Sequence, residues 1–178
     1  MVIVEGYTDV MAMHLAGIDT AIATCGTAFG AEHAKIVRRL IADDSLGAVQ
    51  LVGPLKVKDQ PLSSRIVFTF DGDAAGQKAA LHAFGLDSAF LSQTFVAVAD
   101  NLDPCDLRIE RGNEAVRSLI ARAKPLYDFV IDAAISRFDL TYTPGQVGAM
   151  KAVAPLVAQI RDRSLWDAYA RKSAGILR

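Results

Sequence analysis

The chain has 178 residues, of which 52% are hydrophobic and 22% charged, and a formal net charge of −1. This balance excludes a disordered chain and leaves room for one ordinary α/β domain, or a compact domain with a small helical appendage. No apolar run reaches the roughly 20 residues of a membrane-spanning helix, and no signal-peptide pattern opens the chain, so no membrane partner is expected. Met1 leads directly into strand-like Val2-Ile3-Val4, which suggests a piece cut from a longer protein. The two cysteines, Cys25 and Cys105, have neither metal-site spacing nor a disulfide framework around them. A reducing, cytoplasmic setting without zinc is the expectation.

The small net charge hides an asymmetry. Residues 1–112 carry 9 Lys/Arg against 14 Asp/Glu, whereas residues 113–178 carry 10 against 6. Excess acid in the first part suits a cation site. The mild basicity of the second is too small to argue for duplex-DNA affinity.

Val2-Ile3-Val4 reads as a buried strand ending at Glu5-Gly6, and Asp9 opens a helical stretch from Val10 to Ala16. Asp9 has two readings, helix cap or functional acid. Ala21 to Cys25 reads as a second short strand. The small-residue turn Gly26-Thr27-Ala28-Phe29-Gly30 follows and would let backbone N–H groups approach an anion before a helix from about Ala31 to Ala42. Residues 43–65 break the rhythm: Val49-Gln50-Leu51-Val52 and Leu55-Lys56-Val57-Lys58 alternate weakly around Gly53-Pro54, which predicts an inserted hairpin. Lys56, Lys58 and Arg65 there, with Lys78 further on, are candidate nucleotide or nucleic-acid contacts. Such residues also serve simply as a solvated edge that discourages strand aggregation.

The centre of the chain is Ile66-Val67-Phe68-Thr69-Phe70-Asp71-Gly72-Asp73-Ala74-Ala75-Gly76. Its β-branched and aromatic run predicts a buried strand, and a helix-forming run follows from Ala74 to Phe84. Residues i and i+2 of an extended chain point the same way, so Asp71 and Asp73 can face one spot beyond the strand's carboxyl end. Two adjacent anionic groups call for a cation, with Mg²⁺ or Mn²⁺ the natural candidate. A surface turn at Asp-Gly is the plainer reading. An EF-hand loop fails, because its fifth position is Ala75 and its twelfth His82. A haloacid-dehalogenase-type phosphatase would use Asp71 as nucleophile, but such enzymes usually carry Thr or Val where Ala75 stands.

Thr94 to Ala99 reads as a further strand, ending in Asp100-Asn101-Leu102-Asp103-Pro104-Cys105-Asp106. Pro104 suits the first turn of a short helix through about Glu110, which would aim Asp103 from its cap. Beyond Asn113 the texture is helical, at about 113–123, 126–138, 145–161 and 164–176, and Pro155 should kink or split the third. The stripe Leu126, Phe129, Val130, Ala133 and Ala134 reads as helix packing, as does Leu165, Ala168 and Tyr169, with Trp166 as a packing anchor. His14, His33 and His82 have no ligand spacing and read as structural or surface residues. The expected organisation is residues 1–112 as the catalytic domain, with 43–65 inserted, and 113–178 as a helical subdomain.

Glu5, Asp71 and Asp73, with Asp9, Asp103 and Asp106 behind them, come from three strand ends, which a parallel sheet collects on one edge. Carboxylates gathered in this way hold Mg²⁺ that also binds phosphate oxygens. A pair of ions about 4 Å apart would stabilise both the attacking and the leaving oxygen of a phosphoryl transfer.

Glu5-Gly6-Tyr7-Thr8-Asp9-Val10, Cys25-Gly26-Thr27-Ala28, Phe70-Asp71-Gly72-Asp73-x-Ala75-Gly76 and Asp103-Pro104 together resemble the toprim domain of bacterial replicative primases of the DnaG type. Type IA topoisomerases typically carry D-x-D-R-E-G and need a tyrosine domain. The resemblance covers about residues 2–112, and the helical tail fits the segment that completes the primase polymerase core. It implies a mainly parallel toprim sheet flanked by helices, and one or two Mg²⁺ or Mn²⁺ ions. It also implies ribonucleoside triphosphates as substrates for RNA primers made on single-stranded DNA. By position, Glu5, Asp71 and Asp73 would be the primary acids, with Glu5 in acid–base chemistry and the aspartates on metal. Asp9 and Asp103 would support them. Many primases read D-P-D where this chain reads Asp103-Pro104-Cys105-Asp106, so the second acid is displaced by one residue.

A whole primase also carries a zinc module, a basic subdomain and a helicase-binding domain. These are expected to be absent here, which leaves a fragment weak or inactive in primer synthesis. Two alternatives of other classes stay open: a stand-alone toprim nuclease or RNA-processing enzyme, and a non-catalytic metal-dependent binding module.

Overall fold

The computed structural model describes residues 1–41, 56–57, 60–61, 65–71, 74–87, 90, 92–99, 102–160 and 163–176. It divides into two compact units, Met1–Leu126 and Tyr127–Arg178.

The first unit is a five-stranded sheet in the order β2-β1-β5-β6-β7. Strand β1 (Val2–Val4) lies parallel to β2 (Ala21–Ala23) on one side and to β5 (Arg65–Asp71) on the other. Strand β6 (Gln93–Ala99) runs parallel to β5, with Phe68 opposite Val96 and Asp71 opposite Ala99. These strands are nearly continuous apolar runs because both faces are covered, the usual condition of a parallel sheet.

Helix α1 (Tyr7–Leu15) joins β1 to β2, α2 (Ala31–Leu40) follows β2, and α3 (Ala74–Leu86) joins β5 to β6. The chain steps from β1 outward to β2, and from β5 outward in the other direction to β6. Right-handed crossovers of opposite direction put α1 and α3 on opposite faces. On the α1 face, Met13 and Ala16 pack with Val2, Val4, Val67, Ala97 and Ala99. On the other, Phe68 meets Phe29 edge-on at 5.0 Å between centroids and lies parallel to Phe70 at 5.9 Å.

Helix α4 (Pro104–Ala121) starts with Asp103 as its cap and holds Gly112 at φ 79°, ψ 177°, so two helical pieces meet at a break. That left-handed conformation suits glycine. It agrees with the expected gap between a short helix to Glu110 and another from Asn113. Val116 and Leu119, beyond the break, are buried in the same core as Val2 and Met13, which ties the whole of α4 to the sheet. Strand β7 (Lys124–Pro125) then adds antiparallel to β6, pairing Lys124 with Val96.

A second, small sheet pairs β3 (Lys56–Val57) with β4 (Gln60–Pro61), Lys56 opposite Pro61. The hairpin expected around Gly53-Pro54 lies outside the described residues. The paired strands lie on either side of Lys58-Asp59.

The second unit comprises α5 (Leu126–Ile135), α6 (Thr143–Ala158) and α7 (Arg163–Ile176). Its core joins Ile131 and Ile135 to Ala149, Val153, Val157 and Ile160. Helix α6 continues through Pro155 without splitting, since the ring sits one turn from the end, where few hydrogen bonds remain to be lost. Trp166 is 43% exposed and is no buried anchor; Leu165 beside it is 37% exposed. Among the described residues, no helix is long and apolar enough to cross a membrane.

Candidate metal centre

The direction of the chain reverses between β1 and β5, and this pair of strands forms the topological switch point of the sheet. In open α/β sheets ligands bind in the crevice outside the carboxyl ends of strands at such a point. Glu5 follows β1 there, Asp71 ends β5, and Asp103 follows β6, the next strand along the same edge. The two central strands are fastened just below their acids. Thr69, buried, donates its hydroxyl to the Ile3 carbonyl at 3.1 Å, two residues before Asp71 and Glu5 respectively.

Glu5 is exposed at the mouth of a cleft of about 320 Å³. The cleft is lined by Phe29, Phe68 and Phe70 together with Thr27 and His82. The Cys25 N–H donates to the Glu5 carbonyl at 3.0 Å, so the loop after β2 is tied to the residue that carries the acid. In that loop Cys25 has φ 53° and Gly26 φ 83°, two successive left-handed residues. Glycine adopts this freely; a cysteine does so at a cost.

Asp9 is only 5% exposed. Its Oδ2 accepts the Gly6 N–H at 3.0 Å, and its Oδ1 accepts the Cys105 N–H at 3.4 Å. Both contacts lie at helix N-termini, where backbone amides and the helix dipole favour an anion. The geometry is that of the cap reading of Asp9. Asp103 caps α4, its Oδ1 accepting the Asp106 N–H at 2.6 Å. Asp106 is exposed in the first turn of the helix. The Cys105 thiol, enclosed by these groups, is pushed above its ordinary pKa by burial and then by the negative charges of Asp103, Asp9 and Asp106.

Asp73 and Gly72 lie outside the described residues, and of Asp71 only the backbone is described. Among the described residues, no group of three or more His, Cys, Asp or Glu is close enough to hold a metal ion.

The basic candidates are dispersed. Arg65 begins β5 and so lies at the sheet edge opposite Asp71; its guanidinium stacks over the Phe95 ring at 3.9 Å from the centroid. Lys56 belongs to β3 and Lys78 to α3, and Lys58 lies outside the described residues. The histidines are local: His14 Nε2 meets the Ala21 carbonyl at 3.3 Å, and His33 Nδ1 accepts the Gly30 N–H at 3.1 Å. Sequence reasoning passed over Arg111 and Arg122, which line a second cleft beside β6. Only the pairing of β6 could have drawn attention to them.

The toprim domain model matches residues 1–99, and the model of the DnaB-helicase binding domain of primase matches residues 127–178. The second match corrects the expectation that a helicase-binding segment is absent. Helical texture alone does not separate a bundle that completes a catalytic core from one that meets a partner. The DNA primase of Mycobacterium tuberculosis is 49% identical over 175 residues, and that of Streptomyces coelicolor 47% identical over 177. These alignments take in 98% and 99% of this chain but 25% of each relative, so the chain spans about a quarter of the length of the curated relatives it matches. The crystal structure of the RNA polymerase domain of Mycobacterium tuberculosis primase DnaG is similar, with 48% identity and a TM-score of 0.79, over 98% of this chain and 50% of that one. A primase domain from Pseudomonas aeruginosa has 28% identity and a TM-score of 0.71, over 99% of this chain and 50% of its own. The chain belongs to the toprim domain family, in the branch formed by bacterial DNA primases.

Proposed function

We propose that this chain supplies the metal-binding catalytic centre of a bacterial DNA primase, which joins ribonucleoside triphosphates into short RNA primers on single-stranded DNA. The observation that supports this reading is the parallel order β1-β5-β6, in which the strands preceding Glu5, Asp71 and Asp103 all end at one edge of the sheet, the first two at the switch point. The donors offered there are carboxylate oxygens, hard ligands that fit Mg²⁺ or Mn²⁺ and not zinc. Glu5, Asp71 and Asp73 would hold one ion or a pair. The bound metal would lower the charge barrier to phosphoryl transfer and orient the triphosphate.

The protein's own groups divide the remaining work. Glu5, exposed and lining the cleft, would exchange a proton with the attacking or leaving oxygen. Asp9, with its oxygens on the two backbone amides, holds the start of α1 against the start of α4 and so fixes Glu5 relative to Asp103. Asp106 is the acid nearest in sequence to replace the displaced second carboxylate. Residues 127–178 would meet the replicative helicase, the partner named for the family model that they match. The expected cellular setting is the cytoplasm.

The test is to incubate the chain with labelled single-stranded template, ribonucleotides and Mn²⁺. Little or no primer is expected from the chain alone, and primer synthesis is expected when it is joined to the remainder of a primase. That gain should be lost with Glu5→Gln. Metal-dependent cleavage of RNA or DNA by the chain alone, abolished by Glu5→Gln, would favour a toprim nuclease instead.

A further inference from the structure

Residues 127–178, which match the helicase-binding model, coincide with the second compact unit, Tyr127–Arg178. That unit has a core of its own, so what it offers a partner is what the core leaves outside. Helix α5 exposes Asp132, and α7 exposes Arg163, Asp167, Arg171 and Lys172 around Leu165 and Trp166. Helix α6 has a different character. Lys151 is the one charged residue in its sequence from Thr143 to Ala158. Ala149, Val153 and Val157 are its buried side, packed in the core with Ile131 and Ile135. On the other side Val147, Met150, Ala154 and Ala158 are exposed, Val147 at 42% and Met150 at 55%. Their spacing of i, i+3, i+7 and i+11 makes them one stripe along the helix. A helix that is apolar all round is normally covered all round. Here only one side is covered.

We infer that the Val147-Met150-Ala154-Ala158 face of α6 is the surface on which the replicative helicase docks. The inference rests on the helicase partner proposed for residues 127–178 and names the surface that meets it. The match to the helicase-binding model takes in the whole of the unit that carries this stripe. The side chains suit a protein partner with an apolar groove. Val147 and Met150 are the anchors, and the two alanines let a partner helix approach closely. Methionine adapts its shape to the pocket it meets. Lys151, exposed at the margin, supplies a polar rim. A nucleic-acid strand would gain little here, because α6 has a single cation and no aromatic or arginine side chain to meet phosphates or stack on bases.

The test immobilises the intact chain and measures its binding of the purified DnaB-type helicase of the same organism by biolayer interferometry. Met150→Glu with Ala154→Glu is expected to weaken binding roughly tenfold or more, since two charges would be buried without partners. Val147→Ala with Met150→Ala only shortens two exposed side chains and decides the matter if the charged variant fails to fold. It should weaken binding about threefold to tenfold. Arg137→Ala with Arg171→Ala, away from the stripe, should change binding by less than about twofold. Helicase binding that both stripe variants retain would overturn the inference and leave the helicase partner standing. Absence of helicase binding by the parent chain would overturn both. Sedimentation of the chain alone adds one more outcome. A dimer that Met150→Glu with Ala154→Glu dissolves would mean that a second copy covers this face, and would overturn the inference. Mn²⁺ titration of the same samples reads the proposed metal centre separately, whatever the helicase does.

Discussion

Asp9 of α1 and Cys105 of α4 are 96 residues apart, yet the Cys105 backbone N–H donates to Asp9 Oδ1 at 3.4 Å while Oδ2 accepts the Gly6 N–H. One carboxylate thus joins the starts of the helices that follow β1 and β6. Asn113 and Arg117 close the other end of the same pair, donating to the Leu15 and Ala16 carbonyls at 3.0 and 3.1 Å. Helix α1 is held to α4 at both ends.

Asp9→Ala should therefore destabilise the first unit by about 1–3 kcal/mol, the usual cost of leaving buried amides without acceptors. Asp9→Asn should recover only part of this, because its amide nitrogen would face an N–H in place of an acceptor. Urea unfolding followed by far-ultraviolet circular dichroism measures both, and full recovery by asparagine would count against the bridging role.

The two cysteines should react in order. Cys25 is exposed, and the Cys105 thiol is held up by burial and by Asp103, Asp9 and Asp106. The thiolate is the nucleophile, so iodoacetamide at pH 8 should modify Cys25 well before Cys105. Asp103→Asn, which keeps a capping side chain, should quicken Cys105. Peptide mass spectrometry after timed quenching gives both rates.

In the helical unit, Lys172 Nζ meets Asp128 Oδ1 at 2.6 Å. Burial, with the charge of Asp128 and a hydrogen bond to it, pushes the Tyr169 phenol up to about 12. An unfolded tyrosine ionises near 10. Between those values the unfolded state gives up a proton that the folded state keeps, so stability present below pH 10 should drain away as the pH rises toward 12. Tyr169 should ionise well above the ordinary tyrosine range in a difference-absorbance titration. Asp128→Asn should lower its midpoint.

Two glycines of the same unit should respond differently to alanine. A Cβ at Gly145 would stand 1.8 Å from the Asp139 carbonyl oxygen and 2.8 Å from its carbon, both backbone atoms. Gly145→Ala should cost about 1–3 kcal/mol, as overpacking does. Gly175, near the end of α7, has nothing within 4 Å of that position. Gly175→Ala should be neutral or gain up to about 1 kcal/mol. Thermal unfolding of the two variants against the parent decides.

Strands β1, β5 and β6 were legible because burial on both faces makes a parallel strand a plain apolar run. The acids that end them were legible for a related reason: an acid after such a run has no place in the core. Lys124-Pro125 carried no such mark. Both residues are exposed, and the pair is a strand only because β6 offers it an edge. The membership of α4 was hidden too. Val116 and Leu119 have the spacing of any amphipathic helix, and nothing local says that they face Val2 and Met13 rather than one another's neighbours.

Crystals of the chain soaked in Mn²⁺ and measured at the manganese absorption edge address the metal centre itself. Anomalous scattering is expected at the carboxyl edge of β1 and β5, bounded by Glu5, Asp71 and Asp73, and should vanish in Asp71→Asn. Manganese bound elsewhere, with those three carboxylates bare, would contradict the proposed centre.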